Sequence, residues 1–120
     1  MSIAIFVLTK NGMRLAKSLS RKIDAGAQQV KHLPNLFANP KNFTKDVKYA
    51  FEKYDGLIFI MATGIVVRTI APLLKNKAED PAVVVLDEKG KYVISLLSGH
   101  LGGANNLAKE IAKPPLCYPT

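Results

Sequence analysis

Short, uninterrupted apolar runs are the feature that most restricts how this chain can fold. They are Ile3–Leu8, Gly56–Met61 and Ala82–Leu86. Such runs are typical of strands buried on both faces of a parallel sheet, because a strand with one solvated face alternates polar and apolar residues. Each run is also far too short to span a bilayer. The runs therefore predict the centre of a buried sheet rather than membrane helices.

Amphipathic patterns separate these runs. Apolar residues recur at helical spacing in four segments, which predicts four helices with one buried face each. Their positions are Met13, Ala16, Leu19 and Ile23; Val47, Ala50, Phe51 and Tyr54; Ile65, Val66, Ile70 and Leu73; and Leu101, Ala104, Leu107, Ala108 and Ile111. Pro72 is expected to kink or restart the third helix, because proline cannot donate a backbone hydrogen bond.

The order of these segments predicts the fold class. Tyr92–Leu97 follows the third run across a turn in which Gly90 supplies a positive φ, so the two strands form a β-hairpin. A weaker strand is predicted at Gln28–Leu33, before a loop from Pro34 to Asn42. The order β-α-β-α-β-α-β-β-α predicts an α/β fold of three layers: a mainly parallel sheet with helices on both faces and one β-hairpin. We expect a single α/β domain over residues 1–113 and an irregular, proline-rich tail over residues 114–120.

Composition excludes several classes of protein. Hydrophobic residues make up 48% and charged residues 22%, which is typical of a globular domain. The one cysteine, Cys117, excludes an internal disulfide, and no His, Cys and carboxylate cluster has the spacing of a metal site. We therefore expect no protein-bound metal. The N-terminus lacks the basic segment of a signal peptide, and nothing requires an oxidising compartment, so a cytoplasmic location is expected.

The net charge of +8 points to an anionic partner. Residues 1–55 carry ten of the seventeen basic groups and four of the nine acidic ones. This bias favours nucleic acid, phosphates or a polycarboxylate metabolite, although a lysine-rich solvated surface would have the same composition. Only nine aromatic residues are present, and no nucleic-acid-binding module is recognisable. We expect neither a nucleic-acid nor a membrane partner.

Three glycine-containing turns are predicted to form an anion-binding crevice. They are Thr9–Gly12, Ala62–Gly64 and Ser98–Gly103. In open α/β sheets, ligands bind beyond the carboxyl ends of the strands, and each turn opens a helix whose free N–H groups attract anions. We expect the segments ending at Leu8, Met61 and Leu97 to lie side by side, so that all three turns share one sheet edge. The candidate binding residues are Thr9, Asn11, Gly12, Thr63, Gly64, Arg68, Ser98, Gly99, Gly102, Gly103 and Asn105.

His100 is the candidate acid or base, because its side chain titrates near neutral pH. It could equally serve only to hydrogen-bond across its turn, and the neighbouring glycines could serve only close helix packing. Ser98 is more typical of a helix cap than of a nucleophile, and His32 is expected at the surface. Arg68 suits a bidentate grip on a carboxylate, or else is simply an exposed arginine. The glycine-rich turn Ser98–Gly103 matches neither the dinucleotide-binding fingerprint GxGxxG nor the phosphate-binding loop GxxxxGK(S/T).

Two segments carry a family resemblance. TGIVVRTIAP at Thr63–Pro72 and DPAVVVLDEKGKYVISLLSGHLGGANNLA at Asp80–Ala108 resemble the N-terminal region of the CbiG family. These are cobalamin-biosynthesis proteins, the cobalt-precorrin 5A hydrolases of the anaerobic pathway. The resemblance is strong over residues 57–113 and loose before them. It implies a hydrolase that opens the δ-lactone of a cobalt-corrinoid and releases acetaldehyde.

The implied reaction leads to a hypothesis about the site, which rests on the residues of this chain and not on catalytic residues taken from the family. An anionic cobalt-corrinoid fringed with carboxylates suits the basic surface and the anion-binding turns. Lactone hydrolysis needs a base and a stabilised oxyanion. We expect His100 to activate water, and the N–H groups of Gly102 and Gly103, with Arg68, to hold the oxyanion or a substrate carboxylate. No separate cofactor is expected, since the cobalt enters with the substrate.

Members of this family continue into a further α/β region. A C-terminal or partner domain is therefore expected to complete the site. The alternative is a non-catalytic corrinoid-binding or assembly module that requires such a partner. A generic phosphate-ligand binder with the same fold is a third hypothesis, because fold alone does not fix function.

Overall fold

The computed structural model of the chain describes residues 2–26, 35–98, 103–112 and 118–119. The strands are β1 (Ile3–Val7), β2 (Asn35–Phe37), β3 (Gly56–Ile60), β4 (Ala82–Leu86), β5 (Tyr92–Leu97) and β6 (Tyr118–Pro119). The helices are α1 (Lys10–Gly26), α2 (Phe43–Lys53), α3 (Thr63–Ile70) and α4 (Ala104–Ala112), with single 3₁₀ turns at Pro40–Asn42 and Ala71–Leu73.

The strands form one sheet in the order β2-β1-β3-β4-β5-β6. The first four strands in this order are parallel, β4 and β5 form the predicted antiparallel hairpin, and β6 pairs in parallel with β5. Helices α1 and α4 pack on one face of the sheet, and α2 and α3 pack on the other. The predicted three-layer α/β fold is thus confirmed. Every residue of β1, β3 and β4 is buried, as their apolar sequences require when both faces are covered.

Local predictions around proline and glycine are confirmed. Helix α3 ends at Ile70, and Pro72 is the second residue of the 3₁₀ turn that follows. The α-helix is therefore interrupted at the proline and continues as a 3₁₀ turn. Gly90, in the hairpin turn, has a φ of 70°. In the tail predicted to be irregular, Tyr118 and Pro119 form a short strand beside Tyr92 and Val93. A proline is tolerated there because an edge strand need not donate on both sides.

The second strand differs from its prediction. The predicted segment Gln28–Leu33 lies outside the described residues, and the strand observed, β2, falls within the stretch predicted to be a loop. Phe37 explains the difference, because its ring stacks on Phe6 with the centroids 4.9 Å apart. This tertiary contact outweighs the proline- and asparagine-rich local composition, which is typical of loops.

The predicted convergence of three turns is wrong for the third. Strand β5 runs antiparallel to β4, so Leu97 pairs with Val83 near the beginning of β4. The turns after β1 and β3 lie at the carboxyl edge of the parallel strands, whereas Ser98 and Gly103 lie at the opposite, amino edge. Five residues of strand separate the two edges, a distance of about 17 Å. The reversal follows from the hairpin itself, which sends the second strand back along the first.

Candidate ligand-binding crevice

The sheet order creates a crevice at the carboxyl edge. Strand β1 lies between β2 and β3, and the turns that follow β1 and β3 lead to helices on opposite faces of the sheet. In open α/β sheets, ligands bind where neighbouring loops diverge in this way. We call the space between Thr9–Gly12 and Ala62–Gly64 the switch-point crevice. It brings together two of the three predicted turns.

The beginning of α1 is closed by contacts within the chain. The N–H of Gly12 donates to Oγ1 of Thr9 at 3.0 Å, which caps the helix. The same hydroxyl donates to Oε1 of Glu88 at 2.6 Å. Glu88 belongs to the hairpin turn, so a carboxylate of the chain itself lies at this helix terminus. Thr9 thus ties α1 to the hairpin turn, and its predicted role toward a ligand stays a prediction.

The beginning of α3 is open. Its N-cap residue, Ala62, makes no side-chain capping bond, and its carbonyl accepts the N–H groups of Ile65 and Val66. The N–H groups of Thr63 and Gly64 precede the first intrahelical bonds and have no partner among the described residues. A Cβ added at Gly64 would meet nothing within 4 Å. Of the two turns at the crevice, the second therefore offers free donors at a helix terminus whose capping residue is not hydrogen-bonded to a carboxylate of the chain.

The two glycines of the crevice serve different purposes. A Cβ at Gly12 would lie 3.2 Å from Thr9 Oγ1, 3.5 Å from Val7 Cβ and 3.6 Å from Ile60 Cγ2. Gly12 is therefore required by the close approach of α1 to the sheet. Gly64 faces open space, so packing does not explain a glycine there.

The two glycines can be compared by alanine substitution. Gly12→Ala is expected to lower the free energy of unfolding by about 1–2 kcal/mol, because the crowded Thr9 hydroxyl cannot yield without loosening its hydrogen bonds. Gly64→Ala is expected to leave it unchanged or raise it by up to about 1 kcal/mol, since alanine favours helix. Urea unfolding of both variants measures the difference. Equal midpoints would contradict the packing role of Gly12.

Three open depressions surround the carboxyl edge. One of about 290 Å³ lies between Thr9 and Pro40. A second, of about 370 Å³, is lined by Asn11 and Glu88. The largest of the three, about 450 Å³, adjoins Thr63 at the open end of α3. This edge therefore has both free donors and space for a ligand.

Basic side chains also occupy this edge. Arg68 is exposed one turn into α3, and helical side chains lean toward the N-terminus, so its guanidinium can extend toward Thr63. Lys10 begins α1, and Lys89 and Lys91 flank Gly90 in the hairpin turn; all three are exposed. The sequence-based candidates here included Arg68 but not the hairpin lysines. The predicted hairpin was the signal that could have placed them at this edge.

In the third predicted turn, the residues that the structure describes make hydrogen bonds within the chain. Ser98 has a φ of 57°, and its Oγ donates to the carbonyl of Asp80 at 3.1 Å. The expectation that its side chain caps α4 is wrong, because the hairpin brings it against Asp80 instead. Gly103 has a φ of 85°, and Oδ1 of Asn105 accepts from the hydroxyl of Ser95 at 2.6 Å.

The other predicted site residues of that turn lie outside the described part of the chain. They are Gly99, His100 and Gly102, and their proposed roles stay predictions. Asp80, which sequence reasoning missed, is buried and accepts the N–H of Lys75 with both carboxylate oxygens, at 3.0 and 3.2 Å. Its contacts are structural, and they hold the loop that leads into β4.

The described residues contain neither a metal-binding cluster nor a membrane-spanning helix. They contain no group of three or more His, Cys, Asp and Glu residues that could hold a metal ion. No helix among residues 2–26, 35–98 and 103–112 is both long enough and apolar enough to cross a membrane.

Comparison with known proteins gives a consistent result. The family model described as cobalamin synthesis G N-terminal matches residues 45–116. The cobalt-precorrin-5A hydrolase of Priestia megaterium is 40% identical over 97% of this chain and 33% of its own length. The cobalt-precorrin-5A hydrolase of Salmonella typhimurium is 48% identical over 92% of this chain and 32% of its own length.

A solved structure shares the fold. It is a cobalamin biosynthesis protein G homologue from Sulfolobus solfataricus, with a TM-score of 0.75 and 28% sequence identity. The match covers 99% of this chain and 36% of that one. The chain therefore spans about a third of the length of the curated relatives and of this structure.

Proposed function

Because this chain belongs to the cobalamin synthesis G N-terminal family, we propose that it is the N-terminal part of a cobalt-precorrin-5A hydrolase of anaerobic cobalamin biosynthesis. The observation that carries the proposal is 48% identity, over 92% of this chain, with a relative of that name. The chain spans about a third of that relative, so the complete reaction belongs to the larger protein. A cytoplasmic location is part of the proposal, since one cysteine requires no oxidising compartment.

The proposed reaction is hydrolytic and needs no redox partner. Water adds to the lactone carbonyl, and the acyl carbon–oxygen bond breaks to give a carboxylate and an alcohol. The bond between the alcohol carbon and the macrocycle then breaks. The hydroxyl loses its proton, the ring carbon takes the electron pair and a proton, and acetaldehyde leaves. The cobalt enters with the substrate, so no separate cofactor is proposed.

The role of this chain is to hold the carboxylates of the substrate at the switch-point crevice. The free N–H groups of Thr63 and Gly64 are suited to a carboxylate oxygen, since a helix N-terminus favours negative charge. Arg68 and the hairpin lysines add positive charge at the same edge. The N-terminus of α1 is less suited, because Glu88 already lies against Thr9.

The second candidate function is a corrinoid-binding module whose catalytic base comes from a partner domain. One observation favours it: Ser98 and Gly103, which flank the segment containing His100, lie at the amino edge of the sheet. That edge is about 17 Å from the crevice, so neither of these two residues can contact a ligand bound there. We propose that binding occurs at the carboxyl edge and that the rest of the larger protein supplies the base.

A chimeric enzyme tests the proposed function. This chain replaces the matching third of the Salmonella typhimurium relative, and acetaldehyde release from cobalt-precorrin 5A is measured. We expect the chimera to release acetaldehyde, and we expect this chain alone to release none. A chimera that folds but yields no acetaldehyde, under conditions where the parent relative does, contradicts the proposal. Full turnover by this chain alone contradicts the need for a partner.

A further inference from the structure

The largest of the three depressions described at the carboxyl edge has an apolar floor that the proposed carboxylate contacts do not use. It has a volume of about 450 Å³ and extends from α3 across β4 to β5. Its apolar lining consists of Met61, Ala62, Val85, Leu86, Tyr92 and Ile94. The only polar side chains in that lining are those of Thr63 and Asp87, besides the hydroxyl of Tyr92. A binding site of this composition suits a ligand with a broad apolar surface.

Tyr92 stands out within this lining. Its side chain is 53% exposed, although it begins a strand whose next residue, Val93, is fully buried. An exposed aromatic ring beside an apolar depression is a surface on which a flat ring system can stack. A second tyrosine, Tyr49 on α2, is 54% exposed but lines none of the depressions at the carboxyl edge.

The backbone under Tyr92 is fixed by contacts of the hairpin. Oδ1 of Asp87 accepts the N–H of Tyr92 at 2.8 Å across the turn. Ile94, two residues later on the same face of β5, lies opposite Val85 in the antiparallel register. The floor is therefore part of the sheet rather than of a loop, and a ligand would meet it without much reordering.

Polar groups of both signs adjoin the floor: the carboxylate of Asp87 lines the depression and accepts the N–H of Tyr92, and none of the lining residues is basic. The open N-terminus of α3 lies on one side, at Thr63 and Gly64. Lys89 and Lys91 are exposed in the turn that leads into Tyr92, but neither lines this depression. A corrinoid suits the apolar floor and the free N–H groups at its margin, since its macrocycle is largely apolar and its carboxylates lie around the ring.

Resting on the proposed function, we infer that the outer part of one face of the corrin macrocycle, clear of the axial ligands of the cobalt, lies on the floor at Tyr92 and Ile94. The ring of Tyr92 stacks on the macrocycle. A peripheral carboxylate meets the free N–H groups at the α3 N-terminus, beside Thr63. Tyr92 is thus a substrate-binding residue outside the three glycine turns.

The test measures corrinoid affinity by equilibrium dialysis. Two stable probes with the same ring are used: dicyanocobyrinic acid, which has free carboxylates, and dicyanocobinamide, in which they are amides. Tyr92→Ala is expected to weaken binding of both probes by about tenfold, as for the loss of one aromatic stacking contact. Tyr92→Phe keeps the ring and is expected to bind as the unaltered chain does. Tyr49→Ala is the matched control, with no expected effect.

The outcomes separate the two proposals. If the unaltered chain binds neither probe, the proposed corrinoid site fails and the floor fails with it. If the chain binds dicyanocobyrinic acid and Tyr92→Ala binds it as tightly as Tyr49→Ala does, the floor is overturned and the carboxylate site stands. Circular dichroism of each variant confirms that it is folded.

Discussion

Phe59→Ala is expected to lower the free energy of unfolding by about 3–5 kcal/mol, the cost of removing a large aromatic side chain from a packed core. Phe59, the fourth residue of β3, is fully buried. Its ring stacks on Phe6 at a centroid distance of 5.0 Å and meets the ring of Phe43 edge-on at 6.3 Å. The substitution therefore leaves a cavity between the sheet and α2. Domains of this size have a free energy of unfolding of about 5–15 kcal/mol, so the substitution removes a large share of it.

Urea denaturation followed by circular dichroism measures this loss. Tyr49→Ala is the control, since it removes an aromatic ring of similar size that is 54% exposed. We expect the control to change stability by no more than about 0.5 kcal/mol, as is usual for surface substitutions. Unfolding of Phe59→Ala and Tyr49→Ala at similar urea concentrations would show that the contacts of Phe59 with Phe6 and Phe43 do not stabilise the fold.

Gly64→Val is expected to weaken binding of dicyanocobyrinic acid by at least about tenfold, while the chain remains folded. A Cβ at this position meets nothing within 4 Å, so the branched side chain fits the folded protein. It would stand, however, where a carboxylate has to approach the free N–H groups of Thr63 and Gly64. Loss of one charge-assisted hydrogen bond amounts to about 1.5–3 kcal/mol, which corresponds to a tenfold or larger change in affinity.

Equilibrium dialysis measures the affinity, and thermal unfolding verifies the fold. Val67→Ala is the control on the same helix, because Val67 is 46% exposed and lines none of the depressions at the carboxyl edge. Its affinity is expected to equal that of the unaltered chain. Unchanged binding by Gly64→Val would exclude the α3 N-terminus as the carboxylate site.

The sheet was predictable because each of its main strands is specified by residues that are close together in the sequence. The apolar runs identified β1, β3 and β4, and the helical spacing of Val47, Ala50 and Phe51 identified α2 and its buried face. Positive φ at Gly90 followed from the turn chemistry of the hairpin. Each of these features depends on residues close together in the sequence, and periodicity reports such features directly.

The candidate site was only partly predictable, because its contacts are distant in sequence. Thr9 and Glu88 are 79 residues apart, and no local pattern indicates that the hydroxyl of one donates to the other. The open end of α3 could not be distinguished from the closed end of α1 without that contact. The displaced strand β2 has the same cause, since the ring of Phe37 finds its partner on β1.

The error over the third turn could have been avoided. A hairpin was predicted between Ala82–Leu86 and Tyr92–Leu97, and a hairpin requires the second strand to run back. The turn at Ser98 therefore had to lie at the edge opposite the turns at Thr9 and Thr63. The family resemblance spans both edges, so it could not by itself show which of them binds the ligand.

The central claim is that a corrinoid binds at the carboxyl edge, and amide NMR tests it most directly. The chain is labelled with ¹⁵N and titrated with dicyanocobyrinic acid, whose cobalt is diamagnetic, while amide chemical shifts are recorded. We predict that the largest changes occur at Thr63, Gly64 and Tyr92, with little change at Ser98 and Gly103. Changes concentrated at Ser98 and Gly103, with Thr63 and Gly64 unaffected, would contradict the account and move the site to the amino edge.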